Sequence, residues 1–175
     1  MFRVLRTLGL ALGLLGGAIA AQAPEFATQY AQRLGGTVDE LRRVVSGFEA
    51  DAAATGRSRD DALDRLRGDR DALVARRGEA ARADIARLDR LEAQQRALAE
   101  AGGPLGRAVA VLRDPDMSLA RATYGDYVPA IPTTADGLTA GFVGFLASWA
   151  GWRLLADLGR RLARGRRRRP VTERA

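Results

Sequence analysis

Residues 134–169 read TADGLTAGFVGFLASWAGWRLLADLGRRLARGRRRR. Sixteen consecutive uncharged residues, Gly137 to Trp152, run into an arginine cluster. That order describes a membrane-crossing helix halted by cytoplasmic positive charge. Trp149 and Trp152 suit the inner interfacial belt, and Thr133 or Thr134 is placed to cap the start of the helix. Arg153 interrupts the apolar run early, but its side chain is long enough to snorkel, and Asp157 lies four residues on as a partner. Leu154, Leu155, Leu158 and Leu162 continue a stripe beside Arg160, Arg161 and Arg164. Arg166, Arg167, Arg168 and Arg169 complete a polybasic tail suited to an anionic leaflet.

The other end of the chain is a counterpart. Arg3 and Arg6 precede 17 uncharged residues, Thr7 to Ala23. At about 1.5 Å per residue these span roughly 25 Å, slightly less than a bilayer core of about 30 Å. Two readings are open: an uncleaved anchor, or a secretory signal cut after Ala21-Gln22-Ala23 or Ala18-Ile19-Ala20. Pro24 directly follows the first of these sites and fits a scissile bond poorly. Both readings put residue 24 outside the cytoplasm. Gly9, Gly13 and Gly17 recur every fourth residue, as do Gly137 and Gly141, with Gly144 on an adjacent row. Small residues at this spacing allow close helix approach in lipid, so the two spans are expected to pack on each other or between copies.

The charge map agrees with this organisation. All 28 basic residues are arginine, and the net charge of +7 divides into +2 for residues 1–23, −2 for 24–136 and +7 for 137–175. A nucleic-acid-binding domain concentrates its excess on the folded part; here the excess flanks the apolar ends, and no nucleic acid is expected. The chain contains neither cysteine nor histidine, which removes disulfides, thiolate ligands and the commonest general base. No nucleophile elbow or phosphate loop is present. No catalytic, cofactor-binding or metal residue is assigned, and an enzyme is not expected.

Between the spans, Phe26, Tyr30, Leu34, Val38, Leu41, Val45, Phe48 and Ala52 form a helical stripe through Gly35-Gly36, which suggests a close crossing or a bend there. Thr55-Gly56 ends this helix and Ser58 caps the next. A continuous helix over 58–101 would be about 66 Å long against about 46 Å for the first, so a break near Gly78 or a strong tilt is expected. Gly102-Gly103-Pro104 stops it. A short helix to Arg113 and another beginning at the Asp114-Pro115 cap follow. Tyr127–Thr133 is extended around Pro129 and Pro132.

Three stretches carry a resemblance. Pro24-Glu25-Phe26 leads into Gln29-Tyr30-Ala31-Gln32-Arg33-Leu34-Gly35-Gly36 and Asp39-Glu40-Leu41; Asp114-Pro115-Asp116 follows; then Tyr127 with Pro129-Ala130-Ile131-Pro132. With the order of segments, these resemble the small proteobacterial membrane proteins grouped as domain of unknown function 2937, over about residues 5–160. The resemblance implies an anchored protein with both termini inside, and no activity or cofactor.

The expected fold is all-α: two transmembrane helices flanking a long, coiled-coil-like helical hairpin plus two short helices. Residues 1–23 form the first anchor, 24–133 a periplasmic helical region, 134–159 the second span, and 160–175 a cytoplasmic tail. The expected role is structural or interactive at a bacterial inner membrane. Its partners would be the anionic inner leaflet and a second copy or another membrane protein. The alternatives are a secreted-headed binding module on a single C-terminal anchor, and a lipid or nucleic-acid regulator acting through Arg160–Arg169.

Overall fold

A computed structural model describes residues 2–167, with side chains for 6–161. Every regular element among them is helical: α1 Phe2–Ala21, α2 Ala23–Ala54, α3 Arg59–Arg67, α4 Ala72–Glu100, α5 Gly103–Arg113, α6 Met117–Gly125 and α7 Ala135–Arg167. The absence of β-branched runs and the abundance of Ala, Leu, Arg and Glu favour this outcome. The chain divides into two units, Met1–Glu25 with Val128–Ala175, and Phe26–Tyr127.

In the middle unit the stripe along α2 is the core. Ala27, Tyr30, Leu34, Val38, Val45 and Ala52 are buried, and the first four have no exposed surface. From the other helices Leu63, Leu88, Leu91, Leu98, Ala108, Val111 and Leu119 complete it. Arginines and carboxylates line the outside in exposed pairs, such as Arg42 with Glu92 at 2.7 Å and Arg59 with Glu49 at 3.3 Å. Each such pair contributes little, and their main effect is to keep this surface wet.

Three local expectations are corrected. The interruption after Arg67 lies at Gly68–Asp71, where Asp71 caps α4 by accepting from the Leu73 N–H at 2.8 Å. Gly78 instead lies inside α4, buried against α3: a Cβ there would stand 2.8 Å from both the Arg67 backbone nitrogen and Leu66 Cβ. Its lack of a side chain therefore admits the neighbouring helix, which Arg67 then fastens through Glu79 Oε1 at 2.6 Å. Gly35-Gly36 admits no close crossing. α2 runs through them, a Cβ at Gly35 would meet only Gln95 Nε2 at 3.7 Å, and one at Gly36 would meet nothing within 4 Å. Finally, the cap of α6 is Asp116, not Asp114, which terminates α5. Gly102, at φ 64°, turns the chain between α4 and α5 in a conformation that favours glycine.

Candidate functional site: a glycine seam between the terminal helices

α1 and α7 lie antiparallel, and their contact is built from missing side chains. At one end backbone meets backbone. A Cβ on Gly17 would lie 2.8 Å from the Gly141 carbonyl oxygen, and one on Gly141 would lie 3.2 Å from Ala21 Cβ. A Cβ on Gly144 would lie 2.8 Å from the Gly16 carbonyl oxygen, and one on Gly16 would overlap Ser148. Toward the other end, rings of α7 fill notches in α1. The Phe145 ring, with Trp149 Cβ next to it, occupies the space beside Gly13, and Trp152 Cδ1 would be 2.7 Å from a Cβ on Gly9. At Gly16, Gly17 and Gly144 no residue larger than glycine fits without displacing one helix, whereas at Gly141 a small side chain needs a shift of only a few tenths of an ångström.

The outer faces of this pair have the opposite character. Leu8, Leu10, Leu14, Leu15 and Ile19 on α1, and Leu138, Phe142, Val143 and Leu146 on α7, are all exposed. Water penalises large exposed apolar side chains gathered on one element, and such surfaces mark interfaces. The segment from Arg6 to Ala54 contains a stretch long and apolar enough to cross a membrane, the one helix among the described residues that does so. In α7 the glycines, tryptophans and Arg153 dilute the apolar content.

Gly9, Gly13, Gly17, Gly141 and Gly144 thus all stand in the contact, whereas Gly137 does not. Gly137 faces its own helix start, where a Cβ would be 3.0 Å from Pro132 Cβ, and its N–H donates to Thr134 Oγ1 at 3.1 Å. Gly16 belongs to the contact but was hidden from a search for every-fourth spacing, because it lies one residue off the row of Gly9, Gly13 and Gly17. Trp149 and Trp152 turn toward α1, and the Arg153 guanidinium covers the Trp149 ring at 4.9 Å from its centroid. The antiparallel arrangement brings Arg6 to the same end of the pair as Arg153, Arg160 and Arg161. Arg160 is paired with Asp157. Arg168 and Arg169 lie outside the described residues, as do the side chains of Arg3, Arg164, Arg166 and Arg167.

The middle unit holds a polar cluster that periodicity did not reveal. Tyr30, counted in sequence as an apolar stripe residue, has a hydroxyl that donates to Gln94 Oε1 at 2.9 Å and accepts from the Asp116 N–H at 3.0 Å. Gln94 Nε2 donates to the Asp114 carbonyl. Asp116 Oδ1 accepts from the Ser118 and Leu119 N–H groups, each at 3.0 Å, and from the Ser118 hydroxyl at 2.6 Å. Arg87 reaches Ser118 Oγ at 2.9 Å. Burial pushes the Tyr30 phenol above its ordinary range against those hydrogen bonds, so it remains a neutral donor. Burial also raises the Asp116 carboxyl, but the bonds from Ser118 and Leu119, with the charge of Arg87, outweigh it and hold the group below its usual value. The arrangement fastens α2, α4 and α6 and offers no nucleophile–base pair. Among the described residues no group of carboxylates is placed to hold a metal ion.

No curated protein and no solved structure matches the chain. A family model does, over residues 1–165: "Protein of unknown function (DUF2937)".

Proposed function

We propose that this chain, which belongs to the DUF2937 family, is an inner-membrane protein of two spans, α1 and α7, that holds a helical structural or protein-interaction unit in the periplasm. The carrying observation is the inversion of the terminal pair, with glycine inside and leucine and phenylalanine outside. Lipid solvates such an outer face, and close backbone contact supplies the helix association that a hydrophobic core cannot supply there. α1 has 20 residues, about 30 Å of helix, which matches a bilayer core. Arginine at the shared end of the two helices favours cytoplasmic termini next to an anionic leaflet. In this reading α2 forms one arm of a hairpin and α3–α4 the other, tied by Tyr30–Gln94 and Arg42–Glu92. The partner is a second copy or another membrane protein.

The alternative, a cleaved signal with a lone C-terminal anchor, fares worse on two observations. Cleavage would strip α7 of the surface that covers Gly141, Gly144 and Ser148. The bonds to be cut lie in or beside helix, in a stretch where only Gln22 interrupts α1 and α2. The N-terminal sequence of the mature protein distinguishes the two. A start at Ala21 or Pro24 would sink the two-span reading. Reporter fusions at 55, 100 and 170 then map the sides: external, external and cytoplasmic readouts are expected, and a cytoplasmic readout at 55 or 100 overturns the scheme.

A further inference from the structure

Just before α7 the chain runs through Val128-Pro129-Ala130-Ile131-Pro132, with no helix between Asp126 and Ala135 and no charge between Asp126 and Asp136. Two large apolar side chains stand out from it, Val128 at 70% and Ile131 at 86% exposed. A solvated loop has no need of them. The backbone of this segment is also unusual. Pro129 and Pro132 carry no N–H. The side chain of Gln22 occupies the polar groups of Ala130: its Nε2 donates to the Ala130 carbonyl at 3.1 Å, and its Oε1 accepts the Ala130 N–H at 3.2 Å. The Gln22 amide thus stands where a neighbouring strand would stand. Pro132 in turn lies against Gly137 in the first turn of α7.

These features reduce the one quantity that keeps irregular chain out of lipid, the number of backbone groups that still need water. The segment also adjoins the outer apolar surface of the helix pair, which at this end presents Ile19 and Leu138, both more than half exposed. We propose that residues 128–132 are a membrane-surface anchor, with Val128 and Ile131 sunk into the interfacial layer of the outer leaflet and Gln22 satisfying the backbone that this position deprives of water. The proposal rests on the two-span reading, and it assigns lipid as the occupant because the patch continues a face already apolar along its length. The anchor fixes the point at which the chain re-enters the membrane, so α7 starts at a set depth beside the end of α1.

The chain has no cysteine, so single reporters can be introduced. Ile131→Cys, Leu10→Cys and Ser58→Cys full-length proteins, each labelled with a nitrobenzoxadiazole fluorophore, are reconstituted in phosphatidylethanolamine–phosphatidylglycerol vesicles. Quenching by lipids with a nitroxide near the headgroup or, for the mid-helix Leu10, near the acyl-chain end is compared with quenching by aqueous iodide. At Ile131 the expected result is a blue-shifted emission that loses most of its intensity to the lipid nitroxide and little to iodide. At Ser58 the reverse is expected. If Ile131 behaves like Ser58 while Leu10 is lipid-quenched, the anchor is overturned and the two-span reading stands. If Leu10 is not lipid-quenched, both fall. Shielding of Ile131 from both quenchers would mean a protein contact and would also overturn the proposal. Gln22→Leu should shift the Ile131 label toward iodide; an unchanged profile would overturn the role given to the amide.

Discussion

In the terminal pair the buried positions include Gly9, Gly13, Gly17, Ala21 and Ala140, while Leu10, Leu14 and Phe142 stand exposed. In the middle unit Tyr30, Leu34 and Val38 are sealed and the arginines face outward. One stripe of every-third-and-fourth spacing runs along α1 and α2 alike, yet its occupants change from glycine to leucine and tyrosine near Pro24. Where water is the solvent, apolar side chains are driven inward and large ones stabilise most. Where lipid is the solvent that drive vanishes, and proximity of the backbones replaces it. In the proposed two-span reading, the change of residue size along a constant period marks the change of solvent.

The comparison breaks or sharpens with a graded set of substitutions. Leu34→Ala, at a position with no exposed surface, should cost about 2–5 kcal/mol in denaturant unfolding of the detergent-solubilised chain. Leu14→Ala, at a position 61% exposed, should change that value by less than about 0.5 kcal/mol. Equal losses would dissolve the distinction between the two regions. Gly144→Ile should then cost about 1–3 kcal/mol through overpacking against the Gly16 carbonyl and Ala20. The reporter is a disulfide between Ala21→Cys and Gly141→Cys, whose Cβ atoms would lie 3.2 Å apart, close to the usual spacing of about 3.8 Å. Oxidation should join them in the parent chain and fail to do so in Gly144→Ile; efficient joining in both would show the seam to be tolerant.

Smaller effects test the middle unit. Tyr30→Phe leaves Gln94 Oε1 and the Asp116 N–H without their shared partner and should cost about 1–2 kcal/mol. A neutral result would mean that water replaces the hydroxyl. The smallest effect concerns Asp116. Its folded carboxyl titrates below the ordinary value, so the stabilisation it brings is complete above that value, near pH 4, and is lost as pH falls through the depressed one. Thermal unfolding followed between neutral and acid pH should therefore fall more steeply for the parent than for Asp116→Asn. Parallel curves would remove Asp116 from the account.

Much of this was legible in residue order. The stripe from Phe26 to Ala52, the stops at Thr55-Gly56 and Gly102-Gly103-Pro104, and the two short helices follow from local chemistry. The glycine row Gly9-Gly13-Gly17 was visible because a row needs only spacing. Three kinds of information were not local. Gly78 and Gly68 look alike in sequence, and only the approach of α3 reveals that one admits a helix while the other ends one. Tyr30 has the same periodicity as Leu34, so its hydroxyl partners on α4 and before α6 are invisible from α2 alone. Trp152 has the composition of an interfacial residue, yet the space at Gly9 gives its ring a second neighbour, as the space at Gly13 does for the ring of Phe145.

The seam also has an order in time. Gly17 meets Gly141, 124 positions later in the chain. At a synthesis rate of about 5–20 residues per second, that separation is on the order of ten seconds. For that interval α1 exists without its mate, its bare glycine face presented to whatever lies beside it. Completion of the chain is thus what closes the clasp, and a product truncated before α7 would carry an open one.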